Sequence, residues 1–476
     1  MHFSIPDTQE LNEGSGSTFI GYNIHINGVF HCTVRYKQLH NLNEQMKREF
    51  GSENVPVFPP KKLLPLTSGQ LEERRTLLEK YIQTVGQDSK IMSSNLVSGF
   101  FLSAQQETAC KEKQDINFDV YTMNNGLIKI RLPNTDSSQK VLRKSLKHIN
   151  LPAEYMPFFS LYLVKVDNAG NITTVLRKLL DFESPYLTQQ AIRTETRIVI
   201  RKNYWSMQYD KELMTDPIAL NLLYSQTVTE IERGWIIAMR ESKSQLDKLK
   251  MGLAKKEYIE FAQKLKYYGF MQFGNCYCDY PKPRTKVLVS IGEEELSLRI
   301  LGPGNLVKEG VFKVIRMKCW RVIATNVDYN NQIENSLYAC NNSSHMMSSL
   351  ELSFEYLMSK DKLQWITISS DQAILMSVCL QSMVDEILMR KNAYKKKNLQ
   401  KSTEEWTYMK RDGSCQIISN RSIDLDNFED QENNEADNYQ EPFSVKSLQE
   451  KFSSVSFKNG RRHENHAFEG IGDDDL

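Results

Sequence analysis

"FIGYNIHINGVFHCTVRYKQL", residues 19–39, is the stretch whose reading decides the fold. Two runs of alternating apolar and polar residues flank Asn27-Gly28, a pair suited to the positive-φ positions of a type I′ turn, so the stretch predicts a β-hairpin. The second strand ends at Arg35-Tyr36. From there the apolar spacing changes to Leu39, Leu42, Met46 and Phe50, the period of a helix, which Gly51 stops. A basic-aromatic pair is thereby placed at a strand-to-helix corner.

Residues 1–18 are polar and Gly/Ser-bearing and predict a frayed start. After Gly51, "VPVFPPKKLLPLTSG" (55–69) predicts an extended segment, followed by helices over about 70–87 and 93–106. Together these form a first unit, 1–108. A second, 113–202, opens on a hairpin around Asn124-Asn125-Gly126 and continues with a helix at 137–152 and strands at 158–166 and 196–202, the order of a ubiquitin-like roll. The third, 203–282, is helical, with apolar stripes at Leu220, Leu223, Tyr224, Val228 and Ile231 and at Tyr258, Phe261, Leu265 and Tyr268. The fourth, 283–392, alternates through strands at 285–292, 295–301, 311–317, 319–327, 349–357 and 364–370. One long helix, capped by Ser370 or Asp371, ends it, which describes a pleckstrin-like or phosphotyrosine-binding (PTB) barrel with a polar loop at 328–349. The fold class is thus α+β and multidomain.

Beyond residue 391 a basic cluster, "RKNAYKKKNLQK", gives way to the acidic "DLDNFEDQENNEADNYQE", and 393–466 is expected to be a disordered linker. The ending, "AFEGIGDDDL" (467–476), restores apolar residues at Phe468, Ile471 and Leu476 beside the acidic Asp474 and Asp475. It reads as a solubilising acidic end, a minor class of PDZ ligand, or a docking motif.

Composition limits function. Sixty basic and fifty-nine acidic residues cancel, which argues against wholesale coating of nucleic acid and makes any basic site local. No signal peptide or membrane-spanning run is visible, and eight scattered cysteines suit a reducing, cytosolic compartment. Cys276 and Cys278 have the wrong spacing for a zinc knuckle. "GPGNLVKEG" (302–310) lacks the third glycine of a dinucleotide fingerprint and reads as a turn, and neither a nucleophile elbow nor kinase motifs are present. The expectation is a non-enzyme with no cofactor and no metal.

Three basic features of the first unit can converge: Arg35-Tyr36 at the corner, Lys61-Lys62 after Pro59-Pro60, and Arg74-Arg75 on the next helix. A guanidinium to fork a phosphate, a ring to stack on a sugar face and a lysine for a second phosphate suit a phosphorylated head group. Leu63, Leu64 and Leu66 beside them suit insertion into a membrane interface. The plainer alternative is solvated charge and a loop tucked into its own core.

"VRYKQL", "FPPKK" and "RRTLLEKY", in this order and spacing, resemble the signature pieces of a PX domain. The resemblance implies binding of phosphatidylinositol 3-phosphate, with Arg35 on the 3-phosphate, Tyr36 stacked on the inositol, Lys61 on the 1-phosphate (Lys62 leaving a one-place ambiguity) and Arg74 on ring hydroxyls. Val34 stands where many members carry a second basic residue. "LNLLY", "IERGW", "CWRV", "FEYLMSKD", "LQW" and "LQSMVDE" extend the resemblance to the sorting nexins that carry an atypical FERM module, over all but the middle of the tail.

That family binds Asn-Pro-x-Tyr or Asn-Pro-x-Phe sorting signals in the cytosolic tails of lipoprotein-receptor and integrin-type receptors, by adding a strand to the barrel edge. Here that edge is "RMKCWRVI" (316–323). It makes Trp320 the expected groove wall, with Lys318 and Arg321 for polar peptide groups and Val378 and Met383 opposite on the last helix. The family's acidic, leucine-terminated ending recruits the Retriever recycling complex of the Commander assembly. The resemblance implies a cytoplasmic adaptor, peripheral on early endosomes, that returns receptors to the plasma membrane. A membrane-tethered FERM scaffold binding small GTPases or cytoskeletal proteins is the alternative.

Overall fold

The computed structural model describes residues 1–12, 18–62, 65–109, 112–192, 195–301, 307–327, 347–359, 362–392, 406–418 and 455–457. The hairpin of β3 (Thr18–Ile26) and β4 (Val29–Arg35) turns on Asn27 and Gly28, whose φ angles of 50° and 78° are those the type I′ turn requires. Along its other edge β3 carries β1 (Phe3–Ser4) and then β2 (Thr8–Asn12), making a four-stranded sheet. Residues 1–12 are therefore ordered, not frayed. Phe3 and Ile5 are buried, and their N–H groups donate to Gln83 Oε1 and Glu79 Oε2, each at 2.7 Å, on a helix some eighty positions later. That helix, α2 (Ser68–Gln87), begins at a Thr67–Gln70 capping box and packs with α1 (Tyr36–Phe50), α3 (Ser89–Met92) and α4 (Asn95–Ala109).

The second unit is a five-stranded sheet of β5 (Asp115–Tyr121), β6 (Leu127–Pro133), β7 (Phe159–Val166), β8 (Ile172–Lys178) and β9 (Thr196–Lys202), in the order β6-β5-β9-β7-β8. Strands β5 and β9 run parallel at its centre, and α5 (Ser138–His148) covers one face. Four helices follow: α7 (Gln208–Leu213), α8 (Pro217–Glu232), α9 (Arg240–Met251) and α10 (Lys255–Ala262), after a short α6 (Pro185–Gln190). Asp216 caps α8 by accepting from the N–H groups of Ile218 and Ala219 at 2.9 and 2.8 Å. The roll and the helices share one apolar core.

The barrel sheet runs β13-β12-β11-β10-β16-β15-β14. Its strands are β10 (Met271–Cys278), β11 (Thr285–Gly292), β12 (Glu295–Leu301), β13 (Val307–Lys313), β14 (Met317–Val327), β15 (Met347–Ser359) and β16 (Lys362–Ser369), closed by α11 (Ala373–Asn392). The lobe thus begins near 271, not 283. Gly274 and a register shift between Phe273 and Cys276 interrupt the alternation that would have revealed β10.

Two further pieces fall in the span expected to be a disordered linker. Strands β17 (Trp406–Met409) and β18 (Cys415–Ile418) form a hairpin whose Trp406, Tyr408 and Ile418 enter the core of the first unit. The short β19 (Val455–Phe457) pairs in parallel with β14 at Val322–Ala324. The expected loop at 328–349 lies outside the described residues up to 346.

The roll and the helical lobe are locked together by charge. Arg201 on β9 and Glu230 on α8 are each 5% exposed at the side chain and meet at 3.0 Å, and Gln226 donates to the same carboxylate oxygen. Removing one partner leaves the other ion buried without compensation. Glu230→Ala is expected to lower the stability of these lobes by about 3–5 kcal/mol, and Glu230→Gln by less. Denaturant titration of the full chain checks it.

Candidate functional site

Arg35 closes β4 and Tyr36 opens α1, so the change from strand to helix fixes both at one corner. The Arg35 N–H donates to Gln38 Oε1 at 2.8 Å, which secures the start of the helix. The Arg35 guanidinium carbon lies 3.9 Å from the centre of the Phe19 ring, and its Nη1 donates to the carbonyl of Arg411 at 2.6 Å. Tyr36 packs against Phe58 at 5.4 Å, and its hydroxyl donates to the Pro59 carbonyl at 2.7 Å. That bond ties the diproline turn, and hence exposed Lys61, to the corner.

Arg74 on α2 lies over the Tyr36 ring at 4.5 Å and reaches Tyr22, whose hydroxyl pKa burial raises and Arg74 draws back. Its Nη2 is buried without a hydrogen-bond partner, a donor that an anion would satisfy. Arg75 differs: it is spent internally on Glu72, Glu79 and the Ile5 carbonyl. Lys62 pairs with Glu73 at 3.1 Å. The structure therefore brings together Arg35, Tyr36, Arg74 and the turn bearing Lys61. Leu66 is half-buried, and Leu63 and Leu64 lie outside the described residues. Phe19, Tyr22 and Arg411 also serve this corner and were missed; only the aromatic character of Phe19 and Tyr22 in the opening hairpin hinted at them.

At the barrel, β14 ends the lobe's own sheet, and β19 occupies its outer edge. Trp320 corrects an expectation: it is 0% exposed and props α11 from inside, its indole N–H donating to Ser377 Oγ at 3.1 Å. Met383 is likewise core. Val378 lines a cavity of about 90 Å³ between the lobes with Lys178, Arg201 and Trp205, away from the groove it was expected to wall. On the outer side, Lys318 pairs with Glu355 of β15 at 3.2 Å, and the Arg321 guanidinium lies 4.1 Å above Trp365. The edge survives as a candidate; most of the side chains assigned to its groove do not line it. Phe468, Ile471, Asp474, Asp475 and Leu476 lie outside the described residues.

Burial raises the thiol pKa of Cys276 and Cys278 to about 11. Among the described residues no group of three His, Cys, Asp or Glu side chains has a metal-binding arrangement. No helix among them is long and apolar enough to cross a membrane.

The PX domain family matches residues 22–104. The F1 lobe of the sorting nexin 17/27/31 FERM domain matches 116–205, the F2 lobe of sorting nexins 17 and 31 matches 206–266, and the C-terminal FERM domain of sorting nexin 17 matches 269–388. Sorting nexin-17 of Danio rerio is 41% identical, and that of Homo sapiens 39%, over the full length of both chains. Human sorting nexin-31 is 32% identical over 82% of this chain and 86% of its own. The chain belongs to the PX-FERM sorting nexin family, of the sorting nexin 17 type. It is thus an adaptor-type protein, with a phosphoinositide-binding domain ahead of a FERM module of the kind that binds partner peptides.

The closing helix carries a titrating group. Burial raises the Asp385 pKa to about 6, outweighing the hydrogen bond from Gln381. A carboxyl raised above its ordinary value opposes folding when ionised, so its cost is full above pH 6 and vanishes as pH falls towards 4. Asp385→Asn is expected to raise Tm by roughly 2–4 °C at pH 7 and by nothing at pH 4. Melting curves of both chains across that range check it.

Proposed function

We propose that the protein is a cytoplasmic cargo adaptor that works on early endosomal membranes. Its PX domain takes phosphatidylinositol 3-phosphate, with Arg35 on the 3-phosphate, Tyr36 against the inositol ring, Lys61 on the 1-phosphate and Arg74 on ring hydroxyls. The observation that carries this reading is the corner where Arg74 lies on Tyr36 with a buried, unsatisfied Nη2 beside the strand end that presents Arg35. Leu63, Leu64 and Leu66 enter the lipid interface. On vesicles of phosphatidylcholine with 3-phosphorylated phosphoinositide, Arg35→Ala and Arg74→Ala are expected to weaken binding roughly ten- to hundredfold. Wild-type binding by Arg35→Ala would sink the assignment.

Receptor tails with Asn-Pro-x-Tyr or Asn-Pro-x-Phe signals add a strand to β14, near Lys318 and Arg321. The occupant of that edge, β19, supplies three paired residues among those described, and an incoming peptide competes with it. Removing residues 455–457 is expected to tighten binding of an Asn-Pro-x-Tyr peptide roughly three- to tenfold. Absence of binding by both forms in a calorimetric titration counts against the edge. Phe468, Ile471, Asp474, Asp475 and Leu476 dock the Retriever complex, which sends the captured receptor back to the plasma membrane. Lipid and receptor contacts on one membrane reinforce each other through effective concentration, so neither contact needs high affinity alone.

A further inference from the structure

The hairpin β17–β18 follows the FERM module in sequence and lies outside all four matched spans, yet it packs on the PX unit. The fit is specific at both ends. The Gln45 side-chain amide pairs with the Thr407 backbone in both directions, donating to its carbonyl at 2.7 Å and accepting from its N–H at 2.8 Å. Gln38 Nε2 donates to the Tyr408 hydroxyl at 3.0 Å and to the Met409 carbonyl at 2.9 Å. Glu107 on α4 accepts from the Tyr408 hydroxyl at 2.7 Å and from the Arg411 N–H at 2.8 Å. A Cβ on Gly99 of the same helix would lie 2.9 Å from Ile418, so α4 is glycine where the hairpin crosses it.

Arg411 fastens the turn to the corner. Its Nη2 donates to the Thr33 carbonyl and to Thr108 Oγ1, both at 2.7 Å. Those bonds bring its own carbonyl to Arg35 Nη1 at 2.6 Å, while Phe19 holds a face of the same guanidinium. A long, rotamer-rich cation gripped at one edge and one face loses less freedom when it meets a ligand, and five donors let it bind a carbonyl and a phosphate together. We infer that hairpin 406–418 is a working part of the phosphoinositide site, with Arg411 as a positioning residue that acts through Arg35. The inference rests on the phosphoinositide assignment of Arg35 above.

The test uses the full chain and phosphatidylcholine vesicles with and without 3-phosphorylated phosphoinositide. Arg411→Ala is expected to weaken phosphoinositide-dependent binding roughly five- to tenfold with Tm nearly unchanged, and Arg411→Lys to recover part of the loss. In an Arg35→Lys background, where no guanidinium remains to be held, Arg411→Ala is expected to change binding by less than roughly twofold. Gln45→Ala, which loosens the far end of the hairpin, should weaken binding in the same direction. Slow amide exchange is expected at Thr407 and Arg411, whose N–H groups are given to side chains of the PX unit. Exchange at open-chain rates there overturns the inference before any lipid is added. So does undiminished binding by a folded Arg411→Ala chain, or an equal loss in both backgrounds. Loss with Arg35→Ala but not with Arg411→Ala removes only the hairpin's role, whereas wild-type binding by Arg35→Ala removes the pocket and the inference together.

Discussion

Ser377 lies on α11, the helix on which three parts of the molecule meet. From the barrel, Trp320 donates its indole N–H to Ser377 Oγ, and from the PX unit His2 Nε2 lies 3.0 Å from the same oxygen. Burial holds the His2 pKa well below its ordinary value, which favours the neutral ring in this contact. One turn earlier Ile374 packs where Gly28 brings the hairpin turn close: a Cβ there would come within 2.6 Å of it. From the other side Glu386 accepts the N–H groups of Trp205 and Ser206, each at 2.8 Å, and Gln372 donates to the Val175 carbonyl at 2.8 Å. α11 thus helps to set the orientation of the corner at Arg35 relative to the β14 edge, together with Gln105 of α4, which bonds Ser184 and Thr188 of the roll.

The adjacent arginines of α2 show how a chain of nearly zero net charge builds a local cationic site. Arg75 points back to Glu72, Glu79 and Ile5 and contributes nothing outward. Arg74, one position earlier, is turned by the helical 100° onto an aromatic ring that attracts it without neutralising it. Lys62 is drawn to Glu73 while its neighbour Lys61 is exposed. The charge that matters for an anion is decided by which side chains have no carboxylate within reach, a property that composition cannot reveal.

The hairpin at Asn27-Gly28, the roll, the helical lobe and the long closing helix were legible because each repeats a local period for several turns or residue pairs. Strand β1 was not, since two residues cannot establish a period, and the N–H groups of Phe3 and of the following Ile5 go to Gln83 and Glu79 of α2. The Trp320 error had a remedy within the sequence. In β14, Val322 and Ala324 share its face while Arg321 takes the other, so alternation alone turns the tryptophan inward. Val378 was harder: α11 is packed on several sides, and helical period cannot distinguish a groove-facing position from one that faces another lobe. The hairpin 406–418 was least visible, because its few apolar residues find their partner surface more than three hundred positions earlier.

That hairpin changes how the tail is tethered. The chain between Asn392 and Trp406 spans at most roughly 50 Å when fully extended, enough to return from α11 to the PX unit. From Ile418 the chain runs on to Val455, where β19 pins it to β14. Among the described residues the chain is thus held twice more after α11, by the hairpin on the PX unit and by β19 on the barrel edge.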